Sequence, residues 1–334
     1  MNALGRIRTW TAVAGLAVLV AGCGSGSSTP KATTPPAPPP PVGVPLATKL
    51  LEQYSATSNA ITVGNVNKLS TIEEPPASVA SKAGLTVAKA QKIPVTDRSF
   101  VTPRFVFPRV TSYPHYFLAI APMLQSDRVT PEPVYTLFVQ DKPSAKYRVA
   151  YYPLATDTTT GPPTLEEDSS DGAPEVTSSK GLLAPPGELA AAYNDFARGH
   201  KDADVPLAPS QALTVDLAGN FNAISQELKS RGGVLNRVLL SHDYPSYMLR
   251  TRDGGVLAFS AVKVQDTMTS SSGEVALDPG SPEAAMAGSP QGAHSSQYVI
   301  DRLEVYLSVI PPASTPGPGV QLLGFSDYLL SVDG

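Results

Sequence analysis

The sequence predicts an α+β fold, with helices packed on antiparallel sheets, and three observations carry that expectation. Apolar residues recur every three to four positions in three places, as the buried stripe of an amphipathic helix requires. Much of the remainder falls into strand-length runs of Val, Leu, Ile, Tyr and Phe, several of them joined by turn residues. Helices and strands do not alternate in the way that builds parallel sheets.

Taken in order, Leu46, Leu50, Leu51 and Tyr54 share one face of a short helix. Phe105, Phe107 and Val110 alternate, and residues 116–120 are a short apolar run. Residues 134–140 and 147–152 read as a β-hairpin closed by the polar stretch 141–146. Residues 155–186 then shift to Thr, Pro, Gly, Ser and acidic types, the composition of a linker or long loop. Pro185 and Pro186 precede Glu188, Leu189, Tyr193, Phe196 and Ala197, and prolines suit a helix start, where amide hydrogens are unpaired anyway. Leu217, Phe221, Ile224 and Leu228 form a second stripe, which Gly232-Gly233 can end in the left-handed conformation. Strands follow at 234–240, 247–252 and 256–264, the last two linked by Asp253-Gly254-Gly255. A polar stretch, 266–297, is long enough for a lid, although its Ser, Gly, Pro and Ala content favours disorder. Residues 298–310 and 320–332 complete the antiparallel set.

Composition narrows the class. The chain has 334 residues, one cysteine, 34 prolines and 16% charged residues, with a net charge of −4. One cysteine cannot form an intrachain disulfide, so stability rests on packing. Abundant proline predicts long loops. No block of Lys or Arg follows the first segment, which excludes nucleic acid as a partner.

The amino terminus carries the most specific signal. Arg6 and Arg8 precede an apolar stretch, residues 9–21, too short to span a bilayer as a stable helix, and Val20-Ala21-Gly22-Cys23 closes it. This pattern resembles the signal peptide and lipobox of bacterial lipoproteins. The resemblance implies cleavage before Cys23, acylation of Cys23 and residence on the extracytoplasmic face of the cell membrane, since two or more acyl chains anchor almost permanently. Gly, Ser, Thr, Ala and Pro then dominate as far as Pro45, an extended stalk that at about 3.1 Å per residue reaches on the order of 60 Å. It reads either as a spacer through an envelope layer or as a simple solvated tether.

The expected organisation is a signal peptide over 1–22, a stalk over 23–45, an α+β unit over 46–154, a linker over 155–184 and a second α+β unit over 185–334. A weak internal repeat suggests that the units are related. Tyr113-Pro114-His115-Tyr116-Phe117-Leu118 is echoed by Tyr244-Pro245-Ser246-Tyr247-Met248-Leu249, Val139-Gln140 by Val264-Gln265, and Leu50-Leu51 with Tyr54 by Leu189-Ala190 with Tyr193. A unit of helices followed by a curled antiparallel sheet resembles NTF2-like and cystatin-like folds, which would make these two such units in tandem. Together, lipobox, Ala/Pro-rich stalk and the Gly181-Leu182-Leu183-Ala184-Pro185 lead into a helix resemble uncharacterised secreted lipoproteins of high-GC Gram-positive bacteria that carry a domain of unknown function. The resemblance transfers no catalytic residue and no cofactor.

Chemical motifs are few. His115, His200, His242 and His294 lack the spacing of a helical zinc pair, and His200-Lys201-Asp202-Ala203-Asp204 reads as a solvated loop. Ser241-His242-Asp243 holds the residue types of a hydrolase triad, but neighbours on an extended chain point to alternating faces. The acidic stretch 166–172 fails the calcium-loop pattern, because Ser178 stands where the bidentate glutamate belongs. Tyrosines remain: Tyr116, Tyr135, Tyr147, Tyr247 and Tyr306 lie on expected strands, where they either line a ligand cavity or fill a core.

The expected function is that of a lipid-anchored, non-enzymatic binding or assembly module of the cell envelope. Its partners would be the membrane, through the N-terminal lipid, and an envelope protein or a hydrophobic small molecule. The alternative is an enzyme acting on a small or lipid-like molecule in a cone-shaped cavity. A solute receptor with two α/β lobes fits the strand-rich pattern poorly.

Overall fold

The computed structural model describes residues 42–157, 163–166, 173–174, 176–200, 204–241, 243–317 and 319–334. Val42 is already buried, and α1 (Val44–Asn59) begins with Pro45 in its first turn and buries Ala47, Leu51 and Tyr54 on one stripe. A 3-10 stretch (Val63–Thr71) and α2 (Ala77–Gln91) follow. Helix α2 was not expected, because it buries small residues, Ala77, Ala80 and Ala83, which make a faint stripe. Next come β1 (Arg98–Phe100), β2 (Arg104–Val106), β3 (Pro108–Arg109), β4 (His115–Gln125), β5 (Arg128–Gln140) and β6 (Arg148–Tyr151).

The second half opens with β7 (Ala173–Pro174) and a 3-10 turn (Pro186–Glu188) that leads into α3 (Leu189–Ala197). After β8 (Leu207–Ala208), a π turn (Ala212–Leu217) runs into α4 (Ala218–Ser230), and Gly232 at φ 76° provides the expected stop. Then follow β9 (Gly233–Ser241), β10 (Tyr247–Arg250), β11 (Val256–Ser270), β12 (Val275–Leu277), α5 (Pro282–Met286), β13 (Ala293–Ser295), β14 (Gln297–Ile310) and β15 (Val320–Asp333).

The α+β class is as expected, and the main pairings are antiparallel. The five-stranded sheet runs β1-β4-β5-β6, with β2 also on β4; the six-stranded sheet runs β10-β11-β14-β15-β8, with β9 also on β11. In each, a two-piece edge covers successive ends of one long strand: β1 and β2 do so on β4, β9 and β10 on β11. The order of helices, split edge, long hairpin and last strand therefore occurs twice. The sequence echoes do not follow it. The first Tyr-Pro leads into the long strand β4, whereas the second leads into the edge piece β10. One sheet curls into a half-barrel, and register shifts interrupt both, as after Pro122 in β4 and Asp301 in β14.

Alternation along the strands builds four layers. On β4, Phe117 and Ala119 face α1, whereas Leu118 and Ile120 face the second sheet. On β11 and β14, Leu257, Phe259, Leu303, Val305 and Leu307 meet that first sheet, whereas Val262, Val264, Tyr306 and Ile310 meet α3 and α4. The two sheets thus lie back to back with helices outside. Burial on both faces explains the continuous apolar runs, and each Leu, Val or Phe so buried contributes roughly 1.5–3 kcal/mol.

Two stretches expected to be irregular are ordered where described. Within 266–297, β11 continues to Ser270, and β12, α5 and β13 follow. The extension escaped the sequence pattern because the first of its inward residues is Asp266, buried against arginines, which interrupts the apolar alternation before Met268 resumes it. Within 155–184, Asp157 N–H donates to the Leu323 carbonyl, and Leu165 is buried and bridges to Thr251. Among the described residues, no helix is long and apolar enough to cross a membrane.

Candidate functional site

A cleft of about 340 Å³ opens where the end of α1, the 3-10 stretch, α2 and the segment leading into β1 approach β15. Its walls are mainly apolar, including Ile61, Leu69, Ala80, Leu85 and Met123, and its polar end is formed by Ser81, Arg98, Tyr152 and Tyr328.

Backbone hydrogen bonds place that polar end. Residues 72–74 run beside β6, with Val149 N–H donating to the Ile72 carbonyl and Glu74 N–H to the Val149 carbonyl. This fixes Glu73 beneath the cleft, fully buried. The Tyr54 hydroxyl and the Ser81 hydroxyl each donate to Glu73 Oε1 at 2.9 Å. Ser81 Oγ also lies 2.9 Å from the Tyr152 hydroxyl, and because the Ser81 hydrogen goes to Glu73, Tyr152 is the donor. Glu73 Oε2 has no hydrogen-bond partner. Burial pushes the Glu73 carboxyl up to about 7, against the opposing effects of the Ser81 and Tyr54 hydrogen bonds and the Arg98 charge.

Arg98 is held by its backbone. Asn59 Nδ2 donates to the Arg98 carbonyl at 2.9 Å, Arg98 N–H donates to Asn59 Oδ1 at 3.2 Å, and Ser55 Oγ donates to the same carbonyl at 2.6 Å. The side chain is thereby left to the cleft. Its guanidinium donates one hydrogen bond, to Ser58 Oγ at 3.3 Å, and lies 5.6 Å from the centre of the Tyr152 ring. The Tyr152 ring in turn meets the Tyr328 ring edge-on, at 6.4 Å between centroids.

A second polar cluster lies between α4 and the six-stranded sheet. Arg237 makes paired 2.7 Å hydrogen bonds to Asp266 and one of 2.6 Å to Glu304, while its guanidinium stacks 4.9 Å from the Phe221 ring centre. Arg302 bridges Asp327 at 2.8 Å and Glu283 at 2.6 Å. Tyr306 donates to the remaining oxygen of Glu304, whose carboxyl burial raises to about 7. These groups satisfy one another and leave little for a ligand.

The tyrosines singled out from the sequence are distributed over three clusters, and none lines this cleft. Tyr116, Tyr135 and Tyr247 fill the layer between the sheets, where Tyr116 donates to the Met248 carbonyl at 3.0 Å and packs 5.4 Å from Tyr247. Tyr306 lies on the far side against Tyr193, and Tyr147 packs on Phe117 on the α1 side. Cys23, His242, residues 167–172 and residues 201–203 lie outside the described residues. Among the described residues, no three His, Cys, Asp or Glu side chains group as a metal site. The residues that do converge, Glu73, Ser81, Arg98, Tyr152 and Tyr328, follow no motif. The adjacent carboxylates Glu73-Glu74 before Pro75-Pro76 were the one available signal.

Residues 42–334 match the family model described as "Domain of unknown function (DUF8094)". No curated protein and no solved structure matches the chain.

Proposed function

The chain belongs to the DUF8094 family, and on that footing we propose that it is an extracytoplasmic lipoprotein, anchored through acylated Cys23, that binds a small molecule without transforming it. The carrying observation is the cleft beside α2. It joins apolar walls to a few fixed polar groups at one end, the composition usual for ligand sites of roughly 300–1,000 Å³. The lipobox-like Val20-Ala21-Gly22-Cys23 and the proline-rich stretch up to the first helix support the anchored part of the reading and its likeness to secreted lipoproteins of high-GC Gram-positive bacteria. The repeated order of helices and antiparallel strands supports a tandem of NTF2-like or cystatin-like units.

Two experiments test this. Cys23→Ser should release the exported protein from the membrane fraction, and unchanged fractionation would overturn the anchor. Native mass spectrometry of the purified protein should show a retained small molecule that disappears when the cleft is filled by Gly84→Trp, at an exposed lining position of α2 with open space around it; an adduct unaffected by that change would place binding elsewhere.

One observation favours an enzyme as the second reading: Glu73 is pushed up to about 7, where a carboxyl can exchange protons. Glu73 reaches the cleft only through Ser81. The enzymatic reading requires Glu73→Gln to abolish turnover while leaving binding intact.

A further inference from the structure

We propose that the cleft recognises an amphiphilic acid, a molecule with an apolar body and one carboxylate or phosphate group, through Arg98. This rests on the small-molecule reading above and adds the chemistry of the ligand. The basis is an imbalance of charge. Arg148, Arg237 and Arg302 each hold carboxylates, at 2.6–2.7 Å for their shortest contacts. Arg98 is half-buried like Arg148, yet among the described residues it forms no ion pair, and its guanidinium donates only to a serine hydroxyl.

A guanidinium withdrawn from bulk water loses hydration, and a planar fork of donors regains most from a bidentate oxyanion. The backbone clasp by Asn59 and Ser55 holds Arg98 in place without occupying its side chain, so the fork is positioned before any ligand arrives. The neighbouring Glu73 does not neutralise it: its accepting oxygen is taken by Tyr54 and Ser81, and burial favours its uncharged form. On the other side, exposed Val95 and Pro94 continue the apolar wall to the rim, giving an apolar tail a surface to cover.

The matched stretch, residues 42–334, contains every packed cluster described and leaves out the proposed anchor at Cys23, so it serves for the test. Calorimetric titration would compare decanoate, decyl phosphate, decanol and decyltrimethylammonium, each below its micelle concentration, against the wild type, Arg98→Ala and Arg98→Lys. The expected result is one-to-one binding of at least one acid, at least tenfold tighter than decanol. Arg98→Ala should weaken it tenfold or more and Arg98→Lys less, with unchanged circular dichroism. Whichever acid binds more tightly identifies the headgroup as carboxylate or phosphate. Equal binding of acids and decanol, preference for the ammonium, or indifference to Arg98→Ala would overturn acid recognition while leaving the cleft a binding site. Absence of binding by all four probes would overturn the acid proposal, and if the native adduct were missing as well the binding reading itself would fall.

Discussion

Arg237 and Asp266 stand opposite each other on β9 and β11 and share two hydrogen bonds of 2.7 Å, both residues being almost fully buried. Removing one partner strips most of the compensation from a buried charge in a layer otherwise packed by Phe221 and Tyr306, leaving Arg237 with Glu304 alone or Asp266 with Arg302 alone at 3.3 Å. Asp266→Ala or Arg237→Ala should therefore cost about 3–5 kcal/mol in urea unfolding. Replacing both together, as Arg237→Met with Asp266→Leu, should cost much less than the two single losses combined.

Glu73 makes stability depend on pH in the direction opposite to an ordinary salt-bridged carboxylate. Its carboxyl is raised from 4.5 to about 7 in the folded chain, so the folded state binds the proton more tightly than the unfolded one. The resulting stabilisation is fully present below about 4.5 and is lost as pH rises through about 7. Glu304, also raised to about 7, contributes with the same sign. Unfolding free energies measured at pH 5 and pH 8 should differ by a few kcal/mol, on the order expected for such a shift. Glu73→Gln should reduce that difference, and a wild type more stable at pH 8 would contradict this assignment.

Gly324 on β15 lies beneath the segment that follows β6. A Cβ added there would stand 2.1 Å from the Leu154 carbonyl oxygen, a backbone atom that cannot swing aside. Gly324→Ala should lower stability by about 1–3 kcal/mol, read as a drop of several degrees in melting temperature.

The halves depend on each other. Leu118, Ile120, Leu137 and Val139 are buried only because the second sheet covers them, and the Tyr151 hydroxyl donates across to the Pro245 carbonyl at 2.7 Å. Residues 42–157 produced alone should show no cooperative thermal transition and should bind a hydrophobic dye. A sharp melt from that fragment would contradict the shared core.

The sequence revealed elements wherever one face was apolar. The α1 stripe of Leu51 and Tyr54, the α4 stripe of Phe221 and Leu228 and the β5–β6 hairpin all declared themselves by spacing. It hid α2, whose buried face is alanine, and the end of β11, where the charged Asp266 breaks the apolar inward face ahead of Met268. It hid the cleft for a different reason. Tyr54, Glu73, Ser81, Arg98, Tyr152 and Tyr328 come from six separated positions, and their relation is one of hydrogen-bond geometry across layers. The tyrosines that stood out lie on strands packed on both sides, as Tyr135 and Tyr306 do in mid-strand, or at strand ends covered by a second layer, as Tyr116, Tyr147 and Tyr247 do, and such positions face a core.

The cleft lies on a seam, with Ser81 and Arg98 contributed by the first half and Tyr328 by the last strand of the second. An occupant touching all three would act as a clamp, fastening the two halves at their junction. Resistance to heat would then rise with the concentration of any genuine ligand, and melting in the presence of cell-envelope extracts offers a way to fish for it without knowing what it is.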